Sequence, residues 1–347
     1  MSAGGEVRWG IAGPGRIAGA VALDLPLVPG ARLAAVGSRS PERAAAFTEQ
    51  HGAGARRGAS RVGQEVRAHG SYRALVEDPD VDVVYIATPH PQHHAIALAA
   101  IAAGKHVLVE KAFTATLAGA QEVVDAARGA GVFAMEAMWT RFHPAVARVR
   151  ELLADGAIGE VRSVQADLGI AAPRDLSNRF YDPALGGGAL LDLGVYVAAL
   201  AHLVLGPPTE IVARGTLTET GVDAEAALLL VHPGGATATL TTSILSPSVG
   251  RARIDGTGGS IELEPRFHHP HGFTLRRLGA EPERVDLPPT GIGYSHQLVE
   301  VTEAVRAGRA ESAVMPLSAT LEVMAVLEEA GRQIGVTPWA EDATVAV

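Results

Sequence analysis

Over the first 140 or so residues, short apolar runs alternate with longer amphipathic stretches. The runs at 7–12, 33–36, 81–86, 106–109 and 132–135 have the length of buried strands. Segments 92–103 and 117–128 carry helical periodicity and are followed by Gly104 and Gly129, and glycine just past a helix supplies its left-handed cap. Strands alternating with helices predict a parallel sheet covered on both faces.

After residue 135 the pattern changes. Residues 144–155 form an amphipathic helix stopped by Gly156, and 161–168 alternate strictly, with Val164, Ala166 and Leu168 on one face. An apolar helix is expected at 188–205. Strand-like runs follow at 210–217, 224–232, 236–245, 260–264 and 273–277 without long helices between them, which predicts a largely antiparallel open sheet. Helices at 295–307 and 317–334 close the chain. The fold class is therefore α/β, with residues 1–140 as a dinucleotide-binding domain and 141–347 as a substrate-binding and oligomerisation domain.

Composition narrows this picture. The 347 residues suit two domains, and 47% hydrophobic content fills both cores. A net charge of −9 argues against nucleic acid, whose binders carry a basic face. No cysteine is present, which excludes disulfides, thiolate zinc sites and cysteine nucleophiles. Residues 1–5 lack the basic start and apolar stretch of a secretion signal. The most membrane-like run, 186–208, is interrupted by Asp192 and lacks basic flanks, so it reads as a buried helix. A cytoplasmic protein without a membrane partner is expected.

The first apolar strand leads into Gly13-Pro14-Gly15-Arg16-Ile17-Ala18, a G-x-G-x-x-A turn that opens a helix. Gly13 permits the tight turn, Gly15 lets the backbone approach a pyrophosphate, and Ala18 allows close helix–strand packing. The helix N-terminus offers free N–H groups to the phosphates, including those at Arg16 and Ile17. An acidic residue about 20 positions on would hold the ribose hydroxyl of NAD. This chain instead carries Ser38 and Arg39, with Arg43 one helical turn further. A hydroxyl and guanidinium groups suit a 2′-phosphate, so NADP(H) is favoured and NAD(H) is the alternative.

Two further strand ends carry polar groups: Ala87-Thr88-Pro89 and Glu110-Lys111. Ligands of open parallel sheets bind outside the carboxyl ends of the strands. Asp192 and Tyr196 stand four apart in an otherwise apolar helix, which places two ionisable groups on one face. The histidines at 90, 93 and 94 and at 268, 269 and 271 lack the spacing of a closed metal site, and no metal is expected. The arginine-rich stretch from Gly52 to Gly70 has little apolar periodicity and reads as a solvated loop.

Together, the Gly13 turn, Ala87-Thr88-Pro89 with His93 after it, Glu110-Lys111 and Asp192-x-x-x-Tyr196 resemble the Gfo/Idh/MocA oxidoreductases. Glu136-Ala137-Met138-Trp139-Thr140-Arg141-Phe142-His143-Pro144 and the glycine run before Asp192 are similar to the family's branch of dimeric diol dehydrogenases and NADP-dependent sugar dehydrogenases. The resemblance implies an N-terminal Rossmann domain and a C-terminal domain with a large open sheet that joins subunits as a dimer or tetramer. It also implies that Lys111 and Tyr196 are catalytic, that Thr88, Pro89, His93, Glu110, Lys111, Trp139 and Arg141 lie near the cofactor, and that Trp139 lines the substrate site. Phe180, Tyr181 and Tyr294 are further substrate-site candidates. The family reads Glu-Lys-Pro where this chain has Ala112, which removes a fixed φ and a reason for a cis bond.

Hydride transfer from an alcohol needs a group to take the hydroxyl proton. Tyr196 is expected in that role, with Lys111 favouring its ionised form and Asp192 orienting Tyr196 or binding a substrate hydroxyl. The expected substrate is a sugar, polyol or cyclic diol. A ketoreductase of nucleotide-linked deoxysugars and a dinucleotide-binding sensor without turnover are the alternatives.

Overall fold

The computed structural model describes residues 5–52, 65–176, 178–345 and 347. The chain forms two compact units. The first comprises Met1–Ala137, Thr290–Leu317 and Glu341–Val347, and the second comprises Met138–Pro289 and Ser318–Ala340. The division is thus not a single cut near residue 140: two late segments return to the first unit. Asp24 explains one return. Its buried carboxylate accepts hydrogen bonds from the backbone N–H groups of Ile292, Gly293, Tyr294 and Ser295 at 2.8–3.1 Å. Glu341 anchors the other, accepting from both the N–H and the hydroxyl of Thr116 at 2.9 Å.

The first unit holds a six-stranded parallel sheet of β1 (Val7–Ala12), β2 (Ala31–Gly37), β3 (Arg67–His69), β4 (Val83–Ile86), β5 (His106–Val109) and β6 (Ala134–Glu136). Its order, β3-β2-β1-β4-β5-β6, is that of a doubly wound dinucleotide fold, with the strand order reversing between β1 and β4. Helices α1 (Arg16–Asp24), α2 (Pro41–His51), α3 (Tyr72–Val76), α4 (His90–Ala102) and α5 (Leu117–Ala130) connect the strands. Ser40, Ser71 and Thr116 cap α2, α3 and α5 by accepting backbone N–H groups. Helix α5 passes through Gly129 and ends at Gly131, whose φ of 64° makes the left-handed cap expected two residues earlier.

Within the Gly52–Gly70 stretch, Arg56, Arg57 and Arg61 lie outside the described residues. Arg67 belongs to β3, where it pairs with Asp78 and Asp80 at 2.7 and 2.8 Å.

The second unit follows a single turn of 3-10 helix at Trp139–Phe142 with α6 (Pro144–Ala154) and β7 (Val161–Gly169). A wide helical turn at Leu190–Gly194, with i→i+5 hydrogen bonding, runs into α7 (Val195–Leu205). Seven further strands follow: β8 (Glu210–Leu217), β9 (Asp223–Val231), β10 (Thr237–Ser243), β11 (Ala252–Gly256), β12 (Gly259–Leu263), β13 (Gly272–Arg277) and β14 (Glu283–Asp286). They and β7 form an eight-stranded sheet ordered β14-β13-β12-β11-β7-β10-β9-β8. Every pair is antiparallel except β7 with β10.

Helix α7 packs on β7 and β10. The span from Pro183 to Leu205 is long and apolar enough to cross a membrane, and 72% of its most apolar window is buried, as a core helix requires. Helices α8 (Ser295–Arg306) and α9 (Leu317–Ile334) complete the chain.

Candidate active site

In the first unit, β1 delivers the chain to Gly13 at a φ of 91°, a conformation that favours glycine. A Cβ on Gly13 would stand 2.8 Å from the Thr88 methyl carbon, whereas one on Gly15 would meet nothing within 4 Å. The two glycines therefore serve different ends: Gly13 lets the chain pass the β4 loop, and Gly15 keeps open the space before α1. Helix α1 has no side-chain cap at Gly15 and no acidic residue in its first turn. Exposed Arg16 and partly exposed Ile17 open that helix, and their N–H groups suit an anion. The Thr88 hydroxyl is buried beside Gly13 and makes no hydrogen bond among the described residues. An open cradle and an orphaned hydroxyl at the carboxyl ends of β1 and β4 fit a dinucleotide.

At the end of β2, the buried Ser38 hydroxyl accepts from the N–H of Ser40 at 3.2 Å. Arg43 reaches across to donate to the Pro14 carbonyl at 3.4 Å, so one of the two arginines predicted for a 2′-phosphate stands over the glycine turn. Exposed Arg39 lies near Tyr72, whose phenol is pushed up by burial and drawn back by that guanidinium.

The ends of β4 and β5 are joined by His93. Its ring is fully buried, with Nδ1 3.0 Å from the Ala112 carbonyl and Nε2 2.8 Å from the Thr88 carbonyl. Burial holds the imidazole down at about 4. Both nitrogens face backbone, so His93 ties the loop after β4 to the loop after β5. Pro89 precedes α4 and is exposed. Glu110 is buried; its carboxylate accepts from the Tyr85 hydroxyl at 2.6 Å and from the Lys111 N–H at 3.3 Å. Lys111 is partly exposed at the carboxyl end of β5. The Lys111–Ala112 bond is cis, so the alanine in place of proline has not removed that geometry.

In the second unit, Trp139 and Tyr196 are 7% and 8% exposed. The indole Nε1 donates to the Tyr196 hydroxyl at 3.1 Å, which fixes the position of the phenol. Asp192 lies in the wide turn before α7 and accepts from both terminal nitrogens of Arg179 at 3.1 Å. Trp139 thus holds the Tyr196 hydroxyl and Arg179 holds Asp192. The same guanidinium stands 4.2 Å over the Phe180 ring, a cation–π contact that sets Phe180 beside Asp192.

Three further candidates have these surroundings. Arg141 is buried and donates to His202 Nδ1 at 3.0 Å and to the Ala199 carbonyl at 3.4 Å, so it anchors the C-terminal part of α7. Tyr181 is buried, with its hydroxyl 3.5 Å from the Ala172 carbonyl. Tyr294 is held by its N–H at Asp24, the last residue of α1. At about 1.5 Å per residue, that point lies far along the helix from the glycine turn.

Sequence reasoning missed Arg179 and the pair His268 and His269, which lies close to Trp139 and Tyr196. The histidine cluster is visible in the sequence, but its spacing there speaks only to metal binding.

Comparison with known proteins bears on both units. Residues 7–138 match the oxidoreductase family with an NAD-binding Rossmann fold, and residues 146–262 match the GFO/IDH/MocA C-terminal domain. The chain is 36% identical to trans-1,2-dihydrobenzene-1,2-diol dehydrogenase of Mus musculus over 95% of its own length and 98% of the relative's. The Homo sapiens enzyme of that name is also 36% identical over the same shares. Among solved structures, a 3-ketoreductase from Actinomadura kijaniata in complex with NADP and TDP-benzene superposes with a TM-score of 0.82 at 28% identity, covering 95% of this chain and 98% of that one. An aldose-aldose oxidoreductase from Caulobacter crescentus complexed with glycerol gives 0.82 at 27%, covering 94% and 97%.

Proposed function

Because the chain belongs to the GFO/IDH/MocA oxidoreductase family, we propose that this NAD(P)-dependent dehydrogenase oxidises a secondary alcohol of a cyclic diol, sugar or polyol, using Tyr196 as acid/base. The observation that carries this reading is the indole-held hydroxyl of Tyr196, fixed at 3.1 Å by Trp139 at the start of an apolar helix. A buried phenol needs a partner for its hydroxyl, and the Trp139 indole holds the oxygen in one position, from which it is proposed to exchange a proton with the substrate.

When bound, the nicotinamide supplies the hydride acceptor. The chain's residues manage the remainder. Gly15 and the first turn of α1 would hold the pyrophosphate, and Ser38, Arg39 and Arg43 would hold a 2′-phosphate. During oxidation the substrate hydroxyl gives its proton to Tyr196 Oη as the carbonyl forms, and reduction returns it. Lys111 stabilises the negative charge on the phenolic and substrate oxygens. Tyr85 and Glu110 fix the backbone from which Lys111 projects. The Asp192–Arg179–Phe180 group borders the substrate side.

NADP(H) is favoured over NAD(H) on the arginines and on the absence of a carboxylate at the end of β2. The A. kijaniata ketoreductase was crystallised with NADP, which supports the same choice. The dihydrodiol dehydrogenase relatives favour a diol, and the nucleotide-linked ligand of the ketoreductase favours the alternative of a nucleotide sugar. A homo-oligomer through the open sheet is part of the reading. On that face, the directly paired Val212 and Leu229 are 37% and 42% exposed.

Initial rates with trans-1,2-dihydrobenzene-1,2-diol, D-xylose and other polyols, taken with NADP⁺ and NAD⁺ at the nicotinamide absorbance, test the assignment. The expected result is turnover of at least one of these with kcat/KM higher for NADP⁺. Arg43→Ala should weaken NADPH binding about 10- to 100-fold, the worth of a charge-assisted phosphate contact, and leave NADH binding unchanged. Tighter binding of NADH than of NADPH by the wild-type protein would overturn the cofactor assignment.

A further inference from the structure

We propose that His268 and His269 are substrate-contacting residues, forming an imidazole wall beside the Tyr196 hydroxyl that binds the ring and hydroxyl groups of the alcohol. The proposal rests on the reading of Tyr196 as acid/base. Three observations within the second unit carry it.

The first is placement. The His268 ring lies 5.2 Å from the Tyr196 ring and 6.4 Å from the Trp139 ring, and the His269 ring lies 5.6 Å from Trp139 at 32° between planes. The two imidazoles meet edge to face at 4.5 Å. Trp139, which holds the Tyr196 hydroxyl, is therefore flanked by histidine. Its other neighbour, His143, is buried, whereas His268 and His269 are partly exposed.

The second is how the β12–β13 loop is held. Phe267 is fully buried and its N–H donates to the Gly250 carbonyl at 2.9 Å. The His268 carbonyl accepts from the Thr140 hydroxyl at 2.6 Å, tying the loop to the turn that carries Trp139. Arg266 adopts a φ of 64°, the only left-handed non-glycine residue among those described. Such a conformation persists where its surroundings over-determine it, and it is concentrated at ligand sites. The loop is thus pinned from three sides, with its histidines presented to one place.

The third is chemistry. Burial, with Arg266 and His271 nearby, holds the His269 imidazole below its ordinary value, which favours the neutral ring. A neutral imidazole offers one donor and one acceptor on a flat apolar ring. A vicinal diol on a six-membered ring presents the complement: an apolar face with two adjacent hydroxyls.

The test uses the full-length protein loaded with NADP⁺, with trans-1,2-dihydrobenzene-1,2-diol and D-xylose as probes. His268→Phe and His269→Phe keep the ring and remove the nitrogens. Each should raise KM about tenfold, the loss of one hydrogen bond to substrate, with kcat changed less than threefold and NADPH affinity unchanged. His269→Gln should recover part of the loss. Unchanged KM in both phenylalanine variants would overturn the proposal, as would a fall in kcat alone, which would mark the rings as acting on Tyr196 instead. If His268→Phe melts early or loses NADPH binding, the two His269 variants decide. Failure of the underlying reading is separable, because it would appear as normal turnover in Tyr196→Phe whatever the histidine variants do.

Discussion

Single residues divide here into those proposed to meet ligand and those that hold them. Trp139 fixes the Tyr196 hydroxyl, Arg179 holds Asp192, and His93 joins the loops on either side of the cofactor cradle. For His93 the physics yields a sign. Its folded value is about 4, against about 6.5 in an unfolded chain. Between these values the unfolded state binds more protons, so stability present above pH 6.5 is lost as the pH falls toward 4. His93→Gln removes that titration. Asp223, whose buried carboxyl is pushed up to about 6, titrates in the opposite sense, but it is common to both proteins and cancels in their difference. Urea unfolding at pH 7.5 and pH 5 should show the wild type losing about 2 kcal/mol relative to His93→Gln; a pH-independent difference would contradict the buried neutral ring. Most of the residues proposed to meet ligand are legible in the sequence, because glycine turns and strand ends are local signals. The contacts that hold them are not: Arg179 reaches Asp192, and the proposed His268 and His269 wall reaches Tyr196, across gaps that no periodicity spans.

At the level of elements, the alternation of strand and helix, and later of strand and strand, follows hydrophobic period closely. The strands left unread were β3, β11 and β14. Each is only three to five residues long and carries Arg, Asp or Glu in its pattern, so alternation is too brief or too polar to register. The parallel pairing of β7 with β10 is likewise invisible along the chain, because register is set by neighbours distant in sequence. One helix end depends on a single carboxylate. Asp24 terminates α1 and gathers four consecutive N–H groups at the approach to α8. Asp24→Ala strands those donors and should cost about 3 kcal/mol or more, read as a lower midpoint in chemical denaturation. Asp24→Asn, which retains an acceptor, should lose less. Equal stability of the alanine variant would show that α8 is held by other contacts.

For the whole molecule, the sequence pattern placed a boundary near 140, and the chain does pass from the first unit to the second at 137–138. What it could not reveal is the return of 290–317 and 341–347 to the first unit, which rests on the Asp24 and Glu341 contacts rather than on local composition. One measurement tests the proposed chemistry most directly: NADPH affinity and turnover of Tyr196→Phe, measured on the same preparation with trans-1,2-dihydrobenzene-1,2-diol or whichever polyol the wild type oxidises best. The account predicts unchanged NADPH binding and a fall in kcat of about 10²- to 10⁴-fold, the range for loss of a general acid–base group. Near-normal kcat in that variant would contradict it.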